Sequence, residues 1–280
     1  MPPSPKELRL GSRRLPITEL RMHMTDVLHV CAFEDNYIWL IRGDSPDRVA
    51  VVDPGDAAPV LDALAKQRLT PAAILCTHHH GDHVGGVQEL LAHYDVPVYG
   101  PAQEHIPTLT HRLHGGDRIR LDALGLEFDV LDVPGHTAGH IAYHGHGSLF
   151  CGDTLFSVGC GRLFEGTAAQ LHGSLARLAA LPPETAVYCG HEYTAANLRF
   201  ALTVEPDNAD SHRHQEHVRE LRARNEPTLP STIGLERRIN PFLRTAEPGL
   251  RRNVARWAGR EPASDVETFA FLRQWKDGFK

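Results

Sequence analysis

The run Thr77-His78-His79-His80-Gly81-Asp82-His83 packs more metal-ligating side chains into seven positions than any other stretch of the chain. It lies between a strand-like and a helix-like segment. His78 and His80, two apart in an extended loop, face the same way. Asp82 and His83, at the turn into the helix, approach from another angle. One run can thus serve two adjacent cations, where a single tetrahedral site would be crowded by it. Three further turns each set a glycine beside a ligand-type side chain: Pro134-Gly135-His136, Cys151-Gly152-Asp153 and Cys189-Gly190-His191. Together they offer five histidines (78, 80, 83, 136, 191) and two carboxylates (Asp82, Asp153). Two divalent ions sharing one carboxylate and one solvent oxygen would be nearly fully coordinated by that set. Two carboxylates and a hydroxide offset only three of the four positive charges. The remainder can stabilise the oxyanion formed when a carbonyl is attacked, and bound water reaches a pKa of about 7. Hydrolysis at a carbonyl is the chemistry this set favours.

Positioning such a set requires strands whose ends converge. Val27–Val30, Tyr37–Ile41 and Val49–Val52 read as strands, the last ending in the turn signal Asp53-Pro54-Gly55. Asp56 is placed to cap a helix carrying Val60, Leu61, Leu64 and Ala65. Ala72–Cys76 reads as a strand, and Val84, Val87, Leu90 and Leu91 mark a helix. Leu126, Phe128 and Val130 alternate as a half-buried strand; Ser148–Cys151 and Ala186–Cys189 are short strands. Strands interleaved with helices and hairpins predict a layered α/β domain with mixed sheets. Beyond it, Ala195–Val204, Ser211–Arg224, Leu250–Ala258 and Val266–Trp275 read as helices with Pro-containing joints. The expected division is a tail over 1–22, a catalytic domain over 23–192 and a helical domain over 193–280.

Composition narrows the function. With 41% hydrophobic and 23% charged residues, the 280-residue chain is neither disordered nor fibrous. No apolar run reaches the ~18–20 residues of a membrane span, and no h-region follows the start, so a soluble, unsecreted protein is expected. Five cysteines without CxxC spacing fit a reducing compartment, so a cytoplasmic location is expected. Residues 1–192 carry 14 Lys+Arg against 23 Asp+Glu, residues 193–280 carry 15 against 12. An acidic, His-rich front suits cations and a basic rear suits anion holding. The acidic front also argues against a nuclease or other nucleic-acid binder.

The segments T-H-H-H-G-D-H, P-G-H-T-A-G-H, C-G-D-T-L-F and C-G-H-E-Y-T, in this order, resemble the metallo-β-lactamase superfamily. More narrowly, D-N-Y-I-W, V-D-P-G-D, G-C-G-R-L-F-E-G-T and the closing R-Q-W-K-D look like the glyoxalase II (hydroxyacylglutathione hydrolase) family, over residues 24–280. The resemblance implies an αββα sandwich of two mixed sheets flanked by helices, followed by a C-terminal α-helical domain. It implies hydrolysis of S-D-lactoylglutathione to D-lactate and glutathione, a step of methylglyoxal detoxification; a monomer acting on this small molecule, with neither nucleic acid nor membrane as a partner, is expected. By position it places one metal on His78, His80 and His136 and a second on Asp82, His83 and His191, with Asp153 bridging. A metal-bridging hydroxide would be the nucleophile, with Asp82 and Asp153 as the catalytic carboxylates. Zinc is expected, with iron or manganese compatible with the same ligands. Glutathione contacts fall on Arg162 and Tyr193, and on Arg273 and Lys276 for its glycine carboxylate. Animal members have a Tyr where this chain has Phe164 and a Lys where it has Arg162, a pair that looks like the bacterial branch.

Two other readings compete. A persulfide dioxygenase of the same superfamily would hold one iron on a similar front motif, but that family is shorter and lacks the helical rear. A non-catalytic metal-binding scaffold would be expected to lack ligands, and here all seven positions are filled. A β-lactamase would leave the rear domain unexplained. Other candidates carry lesser roles. Asp53 is expected to orient a ligand imidazole and His140 to bond locally. His79 should point away from its neighbours. His144, His146, His212, His214 and His217 are expected to be solvated. Cys151 and Cys189 read as buried fillers, and a Cys189–His191 nucleophile pair is disfavoured because the histidine serves a metal better.

Overall fold

The computed structural model describes residues 26–279, so the expected tail over 1–22 lies outside the described residues. Two six-stranded sheets face each other. The first holds, in chain order, β1 (Val27–Ala32), β2 (Asn36–Arg42), β3 (Arg48–Val52), β4 (Thr70–Leu75), β5 (Val98–Pro101) and β6 (His111–Leu113). Its first three strands pair antiparallel and the rest join in parallel. The second sheet holds β7 (Arg118–Leu121), β8 (Leu126–Asp132), β9 (Ile141–Gly145) and β10 (Ser148–Gly152). After the hairpin of β11 (Leu155–Phe156) and β12 (Gly159–Cys160), the chain returns to it with β13 (Ala186–Cys189) and β14 (Ser231–Thr232), in the order β14-β13-β10-β9-β8-β7. Both sheets are mixed, since β10 and β13 run parallel while β8 and β9 run antiparallel.

Side-chain alternation explains the layers. In β2 and β3, Trp39, Ile41, Ala50 and Val52 face the second sheet and pack with Phe128, Val130, Phe150 and Val187. Their neighbours Ile38, Leu40, Val49 and Val51 face outward, where Val60 and Leu64 of α1 (Ala57–Gln67) cover them. Both faces of these strands are therefore buried, which is why they read as continuous apolar runs. Asp56 caps α1 as expected, accepting from the Ala58 amide at 3.0 Å. The single helix expected around Val84–Leu91 is instead α2 (Gly81–Val84) and α3 (Val87–His93). They part at Gly85-Gly86, where a Cβ on Gly86 would sit 2.5 Å from the Ala57 amide nitrogen. Backbone approach, rather than periodicity, decides that break.

The second sheet is covered by α4 (Ala168–Ala179), which the apolar spacing did not single out although its capping box, Thr167 with Gln170, is complete. Leu171, Leu175 and Leu178 of α4 share a core with Phe242, Leu250 and Phe269 of the rear part. That part runs through α5 (Thr194–Val204), α6 (Ala209–Ala223), α7 (Ile233–Ile239), α8 (Pro248–Ala258) and α9 (Asp265–Asp277). It is not wholly helical: β14 adds itself antiparallel to β13, with Val187 opposite Ser231.

Candidate metal centre

Five strands, β3, β4, β8, β10 and β13, end at the same edge of the sandwich, and the residues just past those ends carry the chemistry. After β4 the chain runs extended through His78 to His80 and turns into α2 at Asp82 and His83. Gly135 and Gly152 adopt φ of +147° and +46°, conformations that bring His136 and Asp153 round to meet it. Gly190 lets His191 approach, since a Cβ there would lie 2.6 Å from both Asp153 Oδ1 and His83 Cε1.

Two clusters result. In the first, His80 Nδ1 lies 3.1 Å from both His78 Nε2 and His136 Nε2. The outer nitrogens of those two rings are engaged. His78 Nδ1 lies 3.0 Å from the Thr77 hydroxyl, whose own proton goes to Asp53 Oδ2, and His136 Nδ1 donates to the Arg162 carbonyl at 2.9 Å. The Nε2 lone pairs of His78 and His136 are thereby turned toward His80, an arrangement a cation relieves. Burial first, and neighbouring imidazoles after it, hold His78 well below the usual histidine range; burial also lowers His80 and His136. All three are neutral at pH 7, as ligands must be.

In the second cluster Asp82 Oδ2 stands 3.5 Å from His83 Nε2 and 3.5 Å from His191 Nε2. Asp153 lies between the clusters, its oxygens 3.3 Å from His83 Nε2, 3.3 Å from His191 Nε2 and 3.5 Å from His136 Nε2. Burial opposes its charge, but the His83 and His191 imidazoles prevail and keep its carboxyl well below the usual range. Burial opposes a charge on His83 and His191, but Asp153, joined by Asp53 at His83 and by Asp35 at His191, raises both, so a cation here would displace a proton.

The residues fit a bound metal pair. His83 Nε2 and Asp153 Oδ1 are buried without a hydrogen-bond partner, an arrangement costly unless something else engages them. Two compact groups of ligand atoms, His78/His80/His136 and Asp82/His83/His191, satisfy the nitrogen-and-oxygen donor set that zinc and similar cations accept.

Outside these seven, Asp53 adopts φ +51° directly after β3 and reaches across the site. Its Oδ1 accepts from the Thr77 amide at 2.8 Å and its Oδ2 lies 3.1 Å from His83 Nδ1. His140 is buried, accepts from the Asp153 amide at 3.2 Å and stacks on His78. Sequence reasoning missed Asp35, 2.8 Å from His191 Nδ1, and Asn36, which donates to Asp82 Oδ2 at 3.0 Å. The only available signal was their place in the D-N-Y-I-W segment. Glu104 was missed as well, and nothing near it in sequence marks it.

The centre opens into a cleft of about 770 Å³ whose lining includes His80, Asp82, Arg162, Phe164, Tyr193 and Lys276. Tyr193 stacks flat on His191 with ring centres 4.7 Å apart. The Lys276 ammonium is pulled down to about 8 by burial and by the Arg273 and Arg199 charges. Arg273 also lines the cleft but is 4% exposed, with its guanidinium donating to the Cys160 carbonyl at 3.0 Å and pairing with Asp277 at 2.9 Å. Phe164 is exposed at the mouth, its ring edge-on to those of His80 and His136. No helix among the described residues is long and apolar enough to cross a membrane.

Comparison with known proteins agrees with this layout. The metallo-beta-lactamase superfamily model matches residues 32–191, and the model of the hydroxyacylglutathione hydrolase C-terminus matches residues 192–279. Curated proteins named hydroxyacylglutathione hydrolase from Photobacterium profundum and Nitrosomonas eutropha are 55% and 52% identical to the chain. Each match spans 257 residues, covering 91% and 92% of this chain and the whole of the relative. Among solved structures, ETHE1 from Myxococcus xanthus superposes with a TM-score of 0.62 at 26% identity, covering 89% of either chain. A structure of TTHA1623 in a di-iron-bound form gives 0.54 at 30% identity, over 78% of this chain and all of that one.

Proposed function

Because the chain belongs to the hydroxyacylglutathione hydrolase family of the metallo-beta-lactamase superfamily, we propose that it hydrolyses S-D-lactoylglutathione and related S-(2-hydroxyacyl)glutathiones. The products are D-lactate, or the corresponding 2-hydroxy acid, and glutathione. The observation that carries this reading is the juxtaposition of two ligand clusters sharing Asp153 with a cleft bearing the Arg162 and Lys276 cations.

In this reading His78, His80 and His136 hold one divalent cation, Asp82, His83 and His191 a second, and Asp153 serves both. Zinc is the preferred occupant, with iron or manganese as alternatives for the same ligands; the relative solved with two irons supports a paired site. Such cations supply a nucleophile from water at neutral pH and a positive field for the developing oxyanion. The chain's own residues do the rest. Asp53, through Thr77 and directly at His83 Nδ1, and Asp35 at His191 Nδ1 fix ring orientation. Arg162, Tyr193 and Lys276 hold the glutathione moiety, with Arg273 bracing that wall, so that the thioester carbonyl lies over the clusters. Water adds across the C–S bond: oxygen goes to the acyl carbon, and sulfur leaves as a thiolate that takes a proton from solvent.

A cytoplasmic monomer, divided near residue 192 between a catalytic and a helical substrate-holding part, completes the proposal. The test is loss of thioester absorbance with S-D-lactoylglutathione, beside elemental analysis of the same sample. Rapid hydrolysis with close to two metals per chain supports the reading. Two metals without hydrolysis would move the substrate elsewhere. One iron per chain, with oxygen consumed on glutathione persulfide, would overturn it in favour of dioxygenation.

A further inference from the structure

His79 stands between two residues assigned to the first cluster, yet its imidazole points the other way, into a second polar arrangement. Its Nδ1 lies 2.9 Å from Glu104 Oε2 and its Nε2 3.4 Å from Glu165 Oε1. Glu104 enters from the loop after β5, Glu165 from the loop after β12. Both carboxylates also bind the loop that follows His136. Glu104 Oε1 accepts from the Thr137 hydroxyl and, at 3.1 Å, from the Gly139 amide, while Glu165 Oε2 accepts from the Ala138 amide at 2.8 Å. The Glu104 side chain is only 2% exposed, so it is a buried carboxyl group whose hydrogen-bond partners all lie on these two ligand-bearing loops. Gly139 completes the fit: a Cβ there would meet Glu104 Cγ at 2.6 Å.

We infer that Glu104 is a positioning residue for the first metal cluster: with His79 and Glu165 it clasps the 77–80 loop to the 136–140 loop and sets where His136 stands relative to His78 and His80. Alternative duties fit less well. For a third metal site, the ligand atoms of His79, Glu104 and Glu165 lie close together, but Glu104 Oε1 already accepts from a hydroxyl and an amide and its Oε2 lies 2.9 Å from the His79 imidazole. A purely local role would need partners on one loop, and these lie on two. The geometric consequence is specific. His80 and His136 approach to 3.1 Å from opposite loops, and two carboxylates join those loops: Glu104 bonds to His79, Thr137 and Gly139, while the more exposed Glu165 faces His79 and accepts from the Ala138 amide. Loss of a hydrogen-bonded residue behind metal ligands typically costs 10–100-fold in metal affinity or activity.

This inference rests on the two-metal reading above, and the experiment separates the two. Zn2+ is titrated into the metal-stripped full chain against a chromophoric chelator, for the wild type, Glu104→Ala and Glu104→Gln, with circular dichroism and thermal melting on each sample. The expected result is that the wild type takes up two equivalents, and that Glu104→Ala holds one of them about 10–100-fold more weakly while the other is retained. Glu104→Gln, which keeps an acceptor for the 137–139 loop, recovers part of that loss. Thr137→Val, which deletes one bond and leaves the carboxylate paired, weakens the same equivalent by a smaller factor and keeps the question answerable if Glu104→Ala does not fold. With S-D-lactoylglutathione, kcat falls at limiting zinc while KM stays within about twofold, because Glu104 does not line the cleft that Arg162 and Lys276 share. Folded variants that bind both equivalents as tightly as the wild type would overturn the inference and leave the two-metal reading standing. A wild type that binds no zinc would overturn both.

Discussion

Asp35 Oδ1 lies 2.8 Å from His191 Nδ1, so the side chain that orients a ligand of the second cluster comes from the turn between β1 and β2, on the far sheet. The carboxylate accepts a hydrogen bond from the Nδ1–H and leaves Nε2 to face Asp82 and Asp153. Asp35→Ala is therefore expected to weaken one cation by roughly 10–100-fold, with little change in KM. Chelator competition on the purified variant checks this; unaltered affinity would remove Asp35 from the site.

Asp153 touches both clusters, so Asp153→Ala should unpair them. Turnover is expected to fall by three orders of magnitude or more, on the order of 4 kcal/mol of transition-state stabilisation. Elemental analysis should find fewer than two metals per chain. Near-normal hydrolysis with one metal bound would refute the paired mechanism.

Lys276 gives a pH signature. Burial, reinforced by the Arg273 and Arg199 charges, brings its ammonium down to about 8. If that cation holds a substrate carboxylate, kcat/KM should drop as pH rises through about 8, chiefly through KM, and Lys276→Arg should flatten the drop because a guanidinium stays charged. The stability sign is opposite. The folded chain binds fewer protons here than the unfolded one between about 8 and 10.5, so this group adds stability as pH rises across that window. A Lys276→Met variant should lose both effects; a wild-type KM that stays flat to pH 10 would dismiss the contact.

Arg273 separates from Lys276 in kind. Its guanidinium is spent on the Cys160 carbonyl and on Asp277, and its Cζ lies over the Phe242 ring of the rear core, 5.1 Å from the ring centre. Arg273→Ala should cost about 2 kcal/mol through unpaired groups, lowering Tm by roughly 4–8 °C in a chain of this size. Lys276→Ala should leave Tm nearly unchanged while raising KM. Differential scanning calorimetry beside steady-state kinetics distinguishes the two. Equal KM effects with no Tm shift in Arg273→Ala would return that side chain to direct substrate binding.

What the sequence makes legible follows from locality. The His78–His83 run and the three glycine turns could be read because their ligands are crowded into one short stretch or stand directly beside a glycine, each soon after a strand. The long buried strands showed as apolar runs, and the α1 cap at Asp56 as a single residue. Asp35, Asn36 and Glu104 act across 156, 46 and 25 positions of chain, and no spacing rule links an acid to a histidine that far away. The α2–α3 break depended on the approach of Ala57 to Gly86, and short strands such as β5 and β6 owe their existence to neighbours rather than to their own three or four residues. Residue type reported the ligands; tertiary contact alone reported what holds them.

The pairing of β14 with β13 means that the rear part is sewn into the second sheet rather than appended to it. A chain cut after the metal-bearing front, near residue 192, would leave Ala186–Cys189 as an open, fully apolar edge with unpaired backbone groups. Such an edge is a template for another chain. Shortening this protein should therefore produce self-association and loss from solution before it reveals any lesser enzyme, and any ancestor made of the front part alone would have needed its own cover for that strand.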